Sequence, residues 1–126
     1  MTKRILVVED QPDNMQILRD LLTNAGYEMI EAQDGGEGVR VAAAERPDLI
    51  LMDIQLPILD GYEATRRIKA NPALRAIPII VVTSYALSGD EDKAPAAGCD
   101  DYVPKPYSPR VLLAKIMKYL PTTVTA

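Results

Sequence analysis

Acidic, hydroxyl and basic side chains follow four short apolar segments of this 126-residue chain. Glu9 and Asp10 come after the first apolar segment, and Asp53 follows the third. Thr83 follows the fourth segment, and Lys105 comes after the last, between two prolines. Carboxylates are ligands for hard divalent cations, and hydroxyl and ammonium groups bind phosphoryl oxygens. The pattern predicts a site for a cation and a phosphoryl group, provided that the fold brings these segments together.

Three carboxylates held close together need a cation. Two unit charges about 4 Å apart repel by about 4 kcal/mol at an effective dielectric of about 20, so clustering raises carboxyl pKa values unless a cation neutralises the charge. Oxygen ligands favour Mg²⁺, which keeps coordination positions for water and a phosphoryl oxygen. The chain has no His and one Cys, so it offers no imidazole or thiolate cluster for a softer metal. The predicted cofactor is Mg²⁺.

An aspartate beside a bound Mg²⁺ can attack a phosphoryl donor and form an aspartyl phosphate. Such a transfer depends mainly on positioning and charge neutralisation, which a lysine and a hydroxyl supply. Asp53 is the predicted nucleophile, with Thr83 as hydroxyl donor and Lys105 as a fixed positive charge. An X–Pro bond adopts the cis form at low cost, so the sequence leaves both isomers of the bond between Lys105 and Pro106 open.

Five apolar segments rich in β-branched residues predict five strands. They run over Ile5 to Val8, Met29 to Ala32, Leu49 to Met52, Ile79 to Val82, and Tyr102 to Val103. The first, third and fourth segments are continuously apolar, which is typical of parallel strands covered by helices on both faces.

Helices are predicted between and after these strands. Pro12 suits the first turn of the first helix, and Gly26 suits the position after its end. The others are predicted near Gly36 to Glu45, Tyr62 to Ala70, Ser88 to Ala97, and Leu112 to Leu120. Pro95 should make the fourth helix irregular.

This alternation predicts an α/β fold: a (βα)5 doubly wound, five-stranded parallel sheet of the flavodoxin-like type. One domain is expected over residues 1–121, with a frayed tail at 122–126 and no output domain. Ligands of such sheets bind at the carboxyl ends of the strands, which is where all five candidate site residues fall.

Composition excludes several other classes of function. The net charge of -4 argues against binding to nucleic acid or to an anionic membrane surface. No apolar segment has the length of a signal-peptide core or a bilayer span, so a cytoplasmic protein without membrane insertion is expected. The absence of His excludes a phosphohistidine on this chain itself.

Motifs along nearly the whole chain resemble the receiver domains of response regulators, a CheY-like fold. They are Glu9-Asp10, LILMDIQLP at 49–57, Asp60-Gly61, Thr83, GCDDY at 98–102, and Lys105-Pro106. They occur in the family's order. The first and third motifs most resemble stand-alone receivers of the DivK type.

The resemblance implies a single-domain response regulator of a two-component phosphorelay that catalyses only its own Mg²⁺-dependent phosphorylation and dephosphorylation. Asp53 is then the phospho-acceptor. Glu9, Asp10, Asp53 and the main-chain carbonyl of Gln55 are the implied metal ligands.

By the same resemblance, Thr83 and Lys105 contact the phosphoryl group, and Tyr102 acts with Thr83 as the switch. The implied partners are a sensor histidine kinase or histidine phosphotransfer protein as donor, and a downstream protein target. That target is expected to bind through the fourth helix, the fifth strand and the fifth helix, with Tyr85 and Tyr107 among the candidate residues.

Two positions depart from the family's pattern. Ser84 stands where the family usually has alanine after the switch threonine, which leaves the phosphoryl lifetime open. Pro95 lies inside the predicted fourth helix, on the surface that such receivers use to signal, which leaves the choice of partner open.

Other interpretations remain open from the sequence. Taken singly, Asp10 could serve a helix N-terminus, Glu9 could be surface charge, and Asp53 could be a turn residue. The chain could be a receiver-like adaptor that is never phosphorylated. An Asp-nucleophile phosphohydrolase is less favoured, because Gln55 occupies the position where that chemistry needs an acid. Flavin or nucleotide binding lacks a phosphate-binding loop after the first strand.

Overall fold

Parallel pairing joins five strands into one sheet. The computed structural model describes residues 2–83, 98–105 and 107–120. Its strands are β1 (Arg4–Val8), β2 (Glu28–Ala32), β3 (Leu49–Asp53), β4 (Ile79–Thr83) and β5 (Asp101–Pro104). They pair in the order β2-β1-β3-β4-β5, which confirms the doubly wound, flavodoxin-like sheet. Each strand is one or two residues longer than its predicted segment.

The described residues also form four helices: α1 (Pro12–Asn24), α2 (Gly35–Glu45), α3 (Gly61–Ala70) and α4 (Pro109–Tyr119). Pro12 begins α1, and Gly26 after its end has a φ of +92°, as predicted. The helix α4 is the one predicted as the fifth. The predicted fourth helix with Pro95, the residues Ser84, Tyr85 and Pro106, and the tail at 122–126 lie outside the described residues.

Alternate residues of the central strands pack on opposite faces of the sheet. Leu6 and Val8 of β1 face α2 and α3, where Ile68 is fully buried. Ile5 and Val7 face α1 and α4. Burial on both faces explains why these strands are continuously apolar. In the part of the chain that the structure describes, no helix is long and apolar enough to cross a bilayer.

Lys69 at the end of α3 joins three segments. Its side chain is 16% exposed, and its Nζ donates to the carbonyl oxygens of Arg75 at 3.0 Å and Ile77 at 2.8 Å and to Asp100 Oδ2 at 2.9 Å. The same Oδ2 accepts the backbone N–H of Ile79 at 2.8 Å. Lys69 and Asp100 therefore hold the residues before β5 against the start of β4.

We expect Lys69→Met to lower the free energy of unfolding by about 1–3 kcal/mol, because two carbonyl oxygens and a carboxylate lose a largely buried donor. Urea unfolding measures the change. Lys118→Met is the control: this side chain is 68% exposed, so its removal should cost less than about 0.5 kcal/mol. Equal losses in both variants would contradict the bridging role of Lys69.

Candidate functional site

Asp53 lies at the centre of the carboxyl edge of the sheet. It is the last residue of β3, and it is 5% exposed. Lys105, which follows β5, donates from Nζ to Asp53 Oδ1 at 3.1 Å. The backbone N–H of Lys105 donates to the carbonyl oxygen of Thr83 at 2.7 Å, so the end of β4 fixes the loop that carries the lysine. The structure therefore brings the predicted nucleophile and the predicted cation together.

Glu9 and Asp10 complete an acidic cluster with Asp53. One carboxylate oxygen from each of the three lies within 4.8 Å of the others. Glu9 is 4% exposed, so it is not surface charge, and its Oε2 accepts the backbone N–H of Gln11 at 3.1 Å. Gln11, not Asp10, is the N-cap residue of α1. Asp10 therefore lies directly before the N-cap of α1, and its oxygen also belongs to the acidic cluster.

Burial is the largest cause that raises the pKa of Glu9, to about 7 from an ordinary 4.5. The backbone N–H of Gln11 opposes this rise, the charge of Asp53 adds to it, and the ammonium group of Lys105 opposes it. Among the described residues, Lys105 is the cation that contacts this cluster, and its single positive charge does not balance three carboxylates. An all-oxygen donor set with excess negative charge fits a hard divalent cation such as Mg²⁺.

The sequence predicts three further site residues: Thr83, Tyr102 and Gln55. Thr83 ends β4 and is buried, and Tyr102 of β5 is half-buried and pairs in register with Val81. Gln55 is exposed, and its backbone N–H donates to Asp53 Oδ1 at 3.3 Å. The structure therefore places Gln55 beside Asp53, while the role of its carbonyl as a metal ligand stays a prediction.

Gly61 is needed for a reason that the sequence does not reveal. It is the first residue of α3, and its backbone N–H donates to Ile54 at 3.1 Å. A Cβ atom at this position would overlap the carbonyl oxygen of Asp53. Gly61 therefore permits a close approach of α3 to the end of β3.

A cavity of about 550 Å³ opens beside the cluster, between α1 and α4. Asn14 and Ile17 of α1 line it, together with Tyr107. Burial is the largest cause that raises the pKa of Tyr107, and the charges of Glu9 and Asp53 raise it further. The sequence predicts Tyr107 as a candidate for a partner surface, which stays a prediction, and the structure also places it next to the site. Its position two residues after Lys105 is the feature of the sequence that could have indicated this place beside the site.

Comparison with known proteins is consistent with this geometry. The family model of the response regulator receiver domain matches residues 5–117. The chain is similar to the polar-differentiation response regulator DivK of Brucella ovis, at 44% identity over 120 residues, which are 95% of this chain and 98% of that protein.

Two solved structures are also similar. The receiver domain of a sensor histidine kinase from Pseudomonas aeruginosa PAO1, with a magnesium ion coordinated in its active site cleft, has a TM-score of 0.89 and 39% identity, covering 97% of this chain and 100% of that one. The chemotaxis response regulator CheY4 of Vibrio cholerae has a TM-score of 0.89 and 26% identity, covering 94% of this chain and 99% of that one.

The raised pKa of Glu9 predicts a pH-dependent stability. Between pH 4.5 and about 7 the folded protein binds more protons at Glu9 than the unfolded chain does, so this residue lowers the free energy of unfolding as the pH rises through that range. We expect Glu9→Gln to stabilise the metal-free protein by about 1–3 kcal/mol near pH 8 and to have little effect at about pH 4.5 or below.

Urea unfolding in the presence of a chelator measures the free energy of unfolding near pH 8 and at about pH 4.5. Glu28→Gln, at an exposed carboxylate, is the control and should change neither by more than about 0.5 kcal/mol. A gain from Glu9→Gln that is the same at both pH values would be inconsistent with the raised pKa.

Proposed function

This chain belongs to the family of response regulator receiver domains, and from that premise we propose that it accepts a phosphoryl group on Asp53 with Mg²⁺ as cofactor. The observation that carries the proposal is the contact of 3.1 Å between Lys105 Nζ and Asp53 Oδ1 inside a cluster of three carboxylates. The proposed donor is a phosphohistidine on a sensor kinase or a phosphotransfer protein, since this chain has no His of its own.

In the proposed transfer, a carboxylate oxygen of Asp53 attacks phosphorus while the bond from phosphorus to the imidazole nitrogen breaks. The nitrogen keeps the electron pair of that bond. Lys105 neutralises charge on the phosphoryl oxygens, and the hydroxyl of Thr83 donates a hydrogen bond to one of them. The end of β4 already fixes the backbone of Lys105, which supports its role as a positioned charge.

Glu9, Asp10, Asp53 and the carbonyl oxygen of Gln55 are the proposed ligands of Mg²⁺. The carboxylate cluster supports the first three of them, and the position of Gln55 beside Asp53 supports the fourth. When bound, the ion supplies positive charge for the phosphoryl oxygens and for the acidic cluster. The similar receiver from Pseudomonas aeruginosa, which holds magnesium in its active site cleft, adds support.

The proposed output is a change in protein binding. Phosphorylation shifts an equilibrium between two conformers, and Thr83 and Tyr102 carry the change from the site to the surface around β5 and α4. The two strands that carry these residues are paired, which supports the connection. A phosphohydrolase is not favoured, because Gln55 offers no acid beside Asp53 to protonate a leaving group.

We expect one phosphoryl group to be added to the protein by acetyl phosphate, only when Mg²⁺ is present and only when Asp53 is intact. Intact mass spectrometry of the wild-type protein and Asp53→Asn, each with Mg²⁺ and with a chelator, measures this. Asp60→Asn is the matched control: it removes another aspartate, and asparagine can still cap α3 as Asp60 does. Phosphorylation of Asp53→Asn, or its loss in Asp60→Asn, would contradict the assignment.

A further inference from the structure

A lysine of α4 lies over the ring of Tyr102. Lys115 Nζ is 5.5 Å from the centroid of that ring, within the range of a cation–π interaction. On the basis of the proposed function, in which Tyr102 carries the switch, we propose that Lys115 is a positioning residue. It holds the ring in the conformer that the structure shows, and so sets how readily the switch moves.

Asp101 anchors the Lys115 ammonium group. Lys115 Nζ donates to Asp101 Oδ1 at 2.8 Å, and the backbone N–H of Tyr102 donates to the same oxygen at 2.9 Å. The hydroxyl of Tyr119 donates to Asp101 Oδ2 at 3.3 Å. The Asp101 side chain is 14% exposed, so these bonds lie largely out of water. One carboxylate therefore fixes both the cation and the backbone of the tyrosine that the cation covers.

Asp101 keeps its negative charge because its pKa is lowered. Burial acts to raise its pKa, but the hydrogen bonds from Lys115 and from the backbone of Tyr102 outweigh burial and lower it. Asp101 is consequently ionised at neutral pH and can pair with the Lys115 ammonium group.

The ring of Tyr102 contacts both this cation and one of the two hydrophobic cores. Tyr102 belongs to the edge strand β5, and its ring packs at the margin of the cluster formed with α2 and α3. Lys115 comes from α4, which packs on the other face of the sheet, and its ammonium group donates to Asp101. A ring that moves to a different rotamer loses its contact with the Lys115 ammonium group, because Asp101 holds that group in place. The contact therefore stabilises the present conformer. In this conformer Lys105 donates directly to the carboxylate of Asp53, as expected of the unphosphorylated site, so phosphorylation must overcome that stabilisation.

Lys118 offers a matched comparison on the same helix. It carries the same charge and is largely exposed. Its Nζ is 3.9 Å from Asp101 Oδ2 and 5.4 Å from the centroid of Tyr119. Lys118 thus shares the carboxylate and the type of contact with Lys115, but its aromatic partner is a different ring.

The test is a calorimetric titration with beryllium fluoride and Mg²⁺, because beryllofluoride mimics the phosphoryl group and its affinity reports the switch equilibrium. We expect Lys115→Met to bind about two- to fivefold more tightly than wild type, since the present conformer loses its cation–π contact. Lys115→Arg should restore the wild-type affinity, because guanidinium also binds aromatic faces. Lys118→Met should stay within about 1.5-fold of wild type.

Unchanged or weaker binding by Lys115→Met, with a wild type that binds, overturns the inference. Failure of the wild type itself to bind overturns the proposed function instead. A variant that only lost stability would bind more weakly, so the expected gain cannot come from misfolding. When Tyr102→Leu is already present, adding Lys115→Met should not increase the affinity for beryllofluoride any further. Equal tightening there shows that Lys115 acts through Asp101 alone, which also overturns the inference.

Discussion

An excess of negative charge at the carboxyl edge of the sheet is the constraint on which the rest of the structure depends. Three carboxylates supply oxygens within 4.8 Å of one another, and Lys105 donates to Asp53. Glu9 is buried, and its raised pKa reflects the cost of a charge there. Such a cluster favours a divalent cation, because the charge of the cation offsets that of the carboxylates.

The strand order brings these groups together. β3 lies between β1 and β4, so the residues after β1 and the last residue of β4 lie on either side of Asp53. Cores on both faces hold the strands in register, and Gly61 lets α3 approach the end of β3 closely. A rigid sheet of this kind positions catalytic groups well, because its strand ends cannot move independently.

Hydrogen bonds tie the edge strand β5 to its surroundings at several points. The backbone N–H of Lys105 binds the end of β4, Asp100 binds the start of β4 and Lys69, and Asp101 binds Lys115 of α4. The strand thus connects the acidic site with the helix surface. A change at Thr83 has a short path to Tyr102, since the strands that carry them are paired.

The sequence by itself determined the five strands, the first three helices and the last one, the parallel sheet, and the residue types at the strand ends. These follow from local patterns: apolar runs, helical spacing, and Pro and Gly at helix ends. It also determined which carboxylates could share a cation, because the carboxyl ends of parallel strands meet at one edge. Only the tertiary structure decided the burial of Glu9, the cavity position of Tyr107, the contact of Gly61 with Asp53, and the place of Lys115 over Tyr102. Each of these depends on packing between segments that are separate in the chain, and no local pattern encodes such distances.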